Sequence, residues 1–308
     1  MFLLARQSLT GFFIFPMGIC MLKIALPNKG RLADDARELF RDAGLEVRAH
    51  SERALTASLG GEFQALFVRA QDIPEFVADG AADVGVTGRD LIEESGRPVR
   101  EVADLGFGRC RLAVAAREDS GLSGIRDLPA GARVATTFPR VTARYFAAHG
   151  SSAEIVPISG AAEIAPHIGI ADVIVDLVST GSTLRVNGLR ELDTVLESSA
   201  RLIVATDAGR LDTPQRGAVD ELAAALVSVL RARSQRYLMA NVPRARMSQV
   251  REIVPGLNGP TVIDILNGGA MVAVHAVVPA DGVYRTIARL KALGAEGILI
   301  TRIERLMA

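Results

Sequence analysis

Leu22-Lys23-Ile24-Ala25-Leu26-Pro27-Asn28-Lys29-Gly30-Arg31-Leu32 is the stretch on which the reading of the fold turns. Leu22 to Leu26 is an apolar run of strand length and Pro27 to Gly30 is a turn. Leu32 to Ala43 then repeats its apolar residues at helical spacing until Gly44 stops it. The same alternation follows: a strand at Ala65 to Val68, a helix from Ile73 to Asp79 stopped at Gly80, a strand at Asp83 to Val86, and a turn at Thr87-Gly88. Strands alternating with helices predict an α/β domain with a mainly parallel sheet.

The rhythm changes at Leu105-Gly106-Phe107-Gly108. A second α/β block then runs to about Glu197, with strands at Arg111 to Ala115, Arg133 to Thr136, Glu154 to Pro157 and Ala171 to Val178, and a helix at Val141 to His149. Arg201 to Ala205 reads as a strand returning to the first block, so two lobes are expected: 21–107 plus 198–212, and 108–197. A cleft between lobes is a natural small-molecule site. A linker helix at 213–233 leads to a tail, 234–308, whose order is βαββαβ, the ferredoxin-like arrangement.

Composition narrows the classes. Of 308 residues, 49% are apolar and 23% charged, which excludes a disordered chain, and no apolar run is long enough to span a bilayer. Thirty-five basic residues balance thirty-five acidic ones, so the global field of a dedicated nucleic-acid binder is absent and any anion site is local. Lys23, Lys29 and Lys291 are the only lysines; the other basic residues are arginines, and codon bias explains them. Cys20 and Cys110 form no disulfide framework, which makes a reducing cytoplasm the expected compartment. Residues 1–20 make a poor signal peptide because Pro16 interrupts a short apolar run, and a true start at Met17 or Met21 is expected.

The run that carries chemistry is Asp172-Val173-Ile174-Val175-Asp176-Leu177-Val178-Ser179-Thr180-Gly181-Ser182-Thr183. It reads as a buried strand with two carboxylates, Asp172 and Asp176, near its C-terminal end, followed by a turn of hydroxyls and glycine. Backbone N–H groups and hydroxyls in such a turn can surround a phosphate, and Asp176 could accept hydrogen bonds from two ribose hydroxyls. A ligand-free strand-to-helix turn fits the same residues. The four histidines, His50, His149, His167 and His275, have neither metal-ligand spacing nor a nucleophile partner.

The string Asp176-Leu177-Val178-Ser179-Thr180-Gly181-Ser182-Thr183-Leu184 resembles the phosphoribosyl pyrophosphate loop of ATP phosphoribosyltransferases. Pro27 to Leu32, Asp79 to Gly88, Leu105 to Gly108, Gly160 to Pro166 and Tyr237-Leu238-Met239 resemble that family in the same order, from about Met21 to the C-terminus. The resemblance implies a two-lobe fold shared with periplasmic binding proteins and a tail that senses histidine, as in the long form. It also implies ATP and phosphoribosyl pyrophosphate as substrates, Mg²⁺ held by the substrate pyrophosphate, and a homo-oligomer, dimer and hexamer, without nucleic acid or membrane. It raises Lys29 and Arg31 as contacts to pyrophosphate or triphosphate, although solvated charges at a helix start fit the same pattern. Arg53 and Arg69 would line the same cleft or form surface ion pairs, and Thr87-Gly88 would approach ATP or be only a turn. Thr261 and the turn ending at Gly297 are expected histidine contacts. A solute-binding protein without catalysis and a phosphoribosyltransferase for another base share parts of this pattern. Because residues 1–20 match neither the strand-helix rhythm nor the family pattern, a chain beginning at Met21 should fold and keep full activity. Circular dichroism and turnover of the shortened chain check this.

Overall fold

The computed structural model describes residues 21–48, 51, 54–266 and 269–307; the expected extension at 1–20, and with it Cys20, His50 and Arg53, lie outside them. The opening βα unit forms as the apolar pattern dictates. β1 (Lys23–Pro27) is buried from Ile24 onward, and α1 (Ala33–Asp42) turns Ala36, Leu39 and Phe40 onto it. β2 (Val47–Arg48), β3 (Thr56–Leu59), β4 (Phe63–Val68), α2 (Ile73–Ala78), β5 (Val84–Gly88), α3 (Arg89–Ser95) and β6 (Val99–Asp104) complete the first pass through lobe I.

Lobe II comprises β7 (Cys110–Arg117), β8 (Arg133–Thr136), α4 (Pro139–Ala148), β9 (Glu154–Pro157), β10 (Val173–Val178), α5 (Ser182–Val186) and β11 (Leu189–Ser198). Its five strands lie in the order β11-β7-β10-β8-β9. β12 (Ala200–Ala205) then returns to lobe I, where it lies between β5 and β6 and antiparallel to both, in the seven-stranded order β2-β3-β4-β1-β5-β12-β6. Two α/β lobes joined by two chain crossings form the periplasmic-binding-protein-like topology. The crossings touch: Leu105 N donates to Ala200 O and Ala200 N to Phe107 O, both at 2.9 Å.

Asp104 anchors this hinge. Its carboxylate accepts from Gly106 N at 2.8 Å and Ser199 Oγ at 2.9 Å and pairs with Arg201. Burial pushes this carboxyl up, but the three partners outweigh it and hold it below the usual value.

α6 (Thr213–Arg233) starts at a reciprocal cap between Asp212 and Gln215. Leu222, Leu226 and Val229 on α6 share one core with Leu39 and Phe40 of α1. The tail, β13 (Gln235–Pro243), α7 (Met247–Ile253), β14 (Thr261–Asp264), β15 (Met271–Pro279), α8 (Val283–Ala292) and β16 (Glu296–Arg302), forms an antiparallel sheet in the order β14-β15-β13-β16. That is the ferredoxin-like order. Leu238, Val242, Val272 and Val274 on the buried face of the sheet share a core with Leu290 of α8. The chain after β16 turns back to α6, with Leu306 N donating to Ser228 O at 3.0 Å.

Among the described residues no helix is long and apolar enough to cross a membrane. Leu226 is fully buried where α6 seats on α1. Leu226→Ala should therefore cost about 2–5 kcal/mol of stability through lost burial and a residual cavity; thermal unfolding of the full chain measures it.

Candidate active site

β1, β4 and β5 run parallel, and small ligands bind outside the C-terminal ends of strands in open α/β sheets. Asn28 N donates to Val68 O at 2.8 Å, which ties the turn after β1 to the turn after β4. Lys29, Arg31 and Arg69 therefore leave one edge of the sheet, and all three are exposed. Lys29 and Arg69 have no side-chain partner among the described residues.

Arg31 is held in place. It donates to Gly108 O in the hinge and reaches Asp90 Oδ2 at 3.4 Å. Asp90 is fully buried: Ser198 Oγ donates to its Oδ1 at 2.6 Å and accepts from its amide at 3.0 Å. A buried carboxylate with these partners fixes the guanidinium and limits the ordering cost of ligand binding. Gly88 is required beneath it, because a Cβ there would meet Asp90 Oδ1. Burial pushes the neighbouring Cys110 thiol up, which keeps it protonated. Asp90 and Ser198 were not anticipated from sequence: an acidic residue in a first helical turn reads as a surface charge until the strand that covers it is known.

The other half of the site comes from lobe II. β10 lies antiparallel to β7 with Val178 opposite Arg111, so the strand ends beside the hinge. Ser179 Oγ is 3.5 Å from Arg109 O, and Arg111 Nη1 is 3.5 Å from Ser179 O, with Arg111 clamped by both oxygens of Glu191. The segment Gly108–Arg111 thus touches Arg31 of lobe I and Ser179 of lobe II. This brings the two expected anion-binding turns to one place.

Ser179, Thr180, Ser182 and Thr183 are exposed. Thr180 Oγ1 and Ser182 Oγ are 2.9 Å apart, and Gly181 makes the turn with φ 75°. The amides in the first turn of α5 have no intrahelical acceptor, as at any helix start. Half-buried Asp176 lies just before the turn, its Oδ1 accepting from Leu177 N at 2.7 Å. Burial pushes its carboxyl up despite that bond, and the charge of Glu163 pushes it further. Glu163 follows Ala161, which takes φ 50°, a positive value otherwise confined to glycine among the described residues. Backbone strain of this kind gathers at binding sites.

Three expectations change. Asp172 lies before β10, at the end of the strand away from the turn and about 13 Å from Asp176 at strand rise. Its Oδ2 instead accepts from Arg133 N at 2.8 Å. Thr87 is fully buried and its hydroxyl donates to Ala70 O at 2.7 Å, so it braces the edge of the sheet. Thr261 and Gly297 occupy β14 and β16, the two edges of the tail sheet, separated by three strand spacings or roughly 14 Å. One histidine molecule cannot touch both within one chain. Gly297, at φ 57°, forms a bulge facing Asn241.

The raised carboxyl of Asp176 gives a signed prediction. Its folded pKa lies above its unfolded one, so ionised Asp176 destabilises the free protein at neutral pH. Asp176→Asn should therefore raise the thermal midpoint while weakening phosphoribosyl pyrophosphate binding by about tenfold to a hundredfold. In the unaltered protein that binding should fall with acidification at a pH above the ordinary carboxylate value of 3.8. Calorimetry from neutral to acid pH measures both effects.

Residues 69–228 match the family model described as ATP phosphoribosyltransferase, and residues 232–305 match the model of the HisG C-terminal domain. An ATP phosphoribosyltransferase of Gemmatimonas aurantiaca is 66% identical over 93% of this chain and 100% of its own length. That of Methanothermobacter thermautotrophicus is 45% identical over 93% of this chain and 99% of its own. Among solved structures, the ATP phosphoribosyl transferase (HisG:HisZ) complex from Thermotoga maritima matches with a TM-score of 0.59 and 29% identity, over 70% of this chain and 100% of that one. With both sequence models matched in order and relatives aligned along nearly their full length, the chain belongs to the ATP phosphoribosyltransferase family.

Proposed function

We propose that this chain transfers the phosphoribosyl group of phosphoribosyl pyrophosphate to N1 of ATP, releasing pyrophosphate, as the first step of histidine biosynthesis in the cytoplasm. The observation that carries the reading is the convergence of Arg31 and Ser179 on the hinge segment Gly108–Arg111. The Ser179–Thr183 turn holds the 5-phosphate through amides and hydroxyls, and Asp176 accepts from the ribose hydroxyls. Lys29, Arg31 and Arg69 supply positive charge to the pyrophosphate and the ATP phosphates, with Gly88 at the same edge; Arg53, outside the described residues, stays part of the proposal.

The adenine N1 lone pair forms the bond to ribose C1 as the C1–O bond to pyrophosphate breaks. N1 carries no proton to remove, so the absence of a histidine from the assembled residues is no obstacle. Alignment of the reactants and charge stabilisation on the leaving group supply the catalysis. Mg²⁺ neutralises the pyrophosphate when bound. Among the described residues no cluster of three His, Cys, Asp or Glu forms a metal cage, while Asp176 and Glu163 fit outer contacts to a cation carried by substrate phosphates.

The ferredoxin-like tail is proposed to bind histidine and lower activity. Exposed Ile263 and Leu299 lie on one face of its sheet, where a second copy of the chain would cover them in the proposed dimer or hexamer. Pyrophosphate release should require both ATP and phosphoribosyl pyrophosphate and should fall when histidine is added. Ligand-driven closure without pyrophosphate release would instead mark a solute-binding protein. Release with a free purine base in place of ATP would mark a different acceptor.

A further inference from the structure

Lobe I and the ferredoxin-like domain meet at a second concavity, away from the hinge. It has a volume of about 750 Å³ and is lined by the C-terminal part of α1, the end of α6, and residues of β13, β16 and the chain after it. That volume suits a small ligand. Five arginines, Arg41, Arg233, Arg236, Arg302 and Arg305, meet three carboxylates there, leaving a surplus of two positive charges.

Two of the carboxylates are already shared. Arg233 bonds Asp42 at 2.7 Å and lies 3.9 Å from Glu38, and Arg41 lies within 3.8 Å of the same two groups. Arg305 donates to Ala43 O, and among the described residues Arg236 donates only to the carbonyls of Arg233 and Gln235. Arg302 has no side-chain partner among the described residues. Arg236 and Arg302 stand directly opposite each other on β13 and β16. Like charges so placed repel across a sheet, whereas an oxyanion between them would convert repulsion into charge-assisted hydrogen bonds.

We propose that this cavity binds a small, multiply charged oxyanion of the phosphate class, with Arg236 and Arg302 as its principal contacts. The site is distinct from the cleft. α1, of ten residues, starts beside the Lys29–Arg31 turn and ends at the cavity, about 15 Å away at helical rise. The occupant therefore contacts the far end of the helix that presents the cleft turn, and joins it to the ferredoxin-like domain.

Inorganic phosphate, titrated by calorimetry at low ionic strength into the full chain carrying Thr180→Val, tests the proposal with the cleft loop impaired. Adding Arg302→Gln or Arg236→Gln should weaken phosphate binding roughly tenfold or more. Arg231→Gln, the same loss of charge on α6 outside the cavity, should leave it unchanged. The proposal is overturned if the Thr180→Val protein binds no phosphate. It is equally overturned if the cavity substitutions leave binding intact, or if Arg231→Gln weakens it as much as they do. Pyrophosphate release by Arg302→Gln alone, in phosphate-free buffer, should match the unaltered chain, which separates failure here from failure of the catalytic reading.

Discussion

The position of β12 constrains everything else in the molecule. It fills the gap between β5 and β6 and is buried along most of its length, so the sheet of lobe I is incomplete until the chain has passed through lobe II and returned. The two crossings must then run side by side, and the bonds between Leu105, Phe107 and Ala200 follow from that requirement. Two short adjacent crossings, the first with Gly106 and Gly108 at positive φ, favour opening and closing of the lobes about one axis. The same return joins residues distant in sequence, so this part of the sheet forms at a high cost in loop closure.

At the hinge the charges divide into fixed and free. Asp104 is tied to Gly106, Ser199 and Arg201, and Arg31 to Asp90 and Gly108, so these groups set the shape of the crossing. Lys29 and Arg69 leave the same end of the sheet and have no side-chain partner among the described residues. In the proposed site a highly charged substrate would profit from both kinds: the fixed cation would orient one phosphate at little entropic cost, and the free ones would adapt as charge builds on the leaving group.

Much of the backbone was legible in sequence because burial imposes period. β8, β9 and α6 occupy the spans their apolar patterns predict, and the tail has the predicted element order. Among the elements that were not foreseen, α3, β6 and β11 are rich in charged residues and lie partly open to solvent, so no clean alternation marks them, while β2 and β3 are too short to establish a period. In the candidate site, the turn at Ser179–Thr183 was legible as a turn, because hydroxyls and glycine after a buried strand favour one, while its role in binding came only from the family resemblance. Asp90 was not, since its partner Ser198 is 108 positions away. Asp172 was misread for a related reason: a carboxylate beside a strand can serve either end, and only the register with Arg133 assigns it to the structural one.

In the proposed site, one cleft at Gly108–Arg111 unites the turn of lobe I with the loop of lobe II. Amide hydrogen exchange on the full chain, with phosphoribosyl pyrophosphate alone and then with ATP added, tests it most directly. Phosphoribosyl pyrophosphate alone should slow exchange across residues 177–185, and adding ATP should extend protection to residues 28–31 and the hinge. Unchanged exchange in residues 177–185, or protection confined to regions outside the two turns and the hinge, would contradict it.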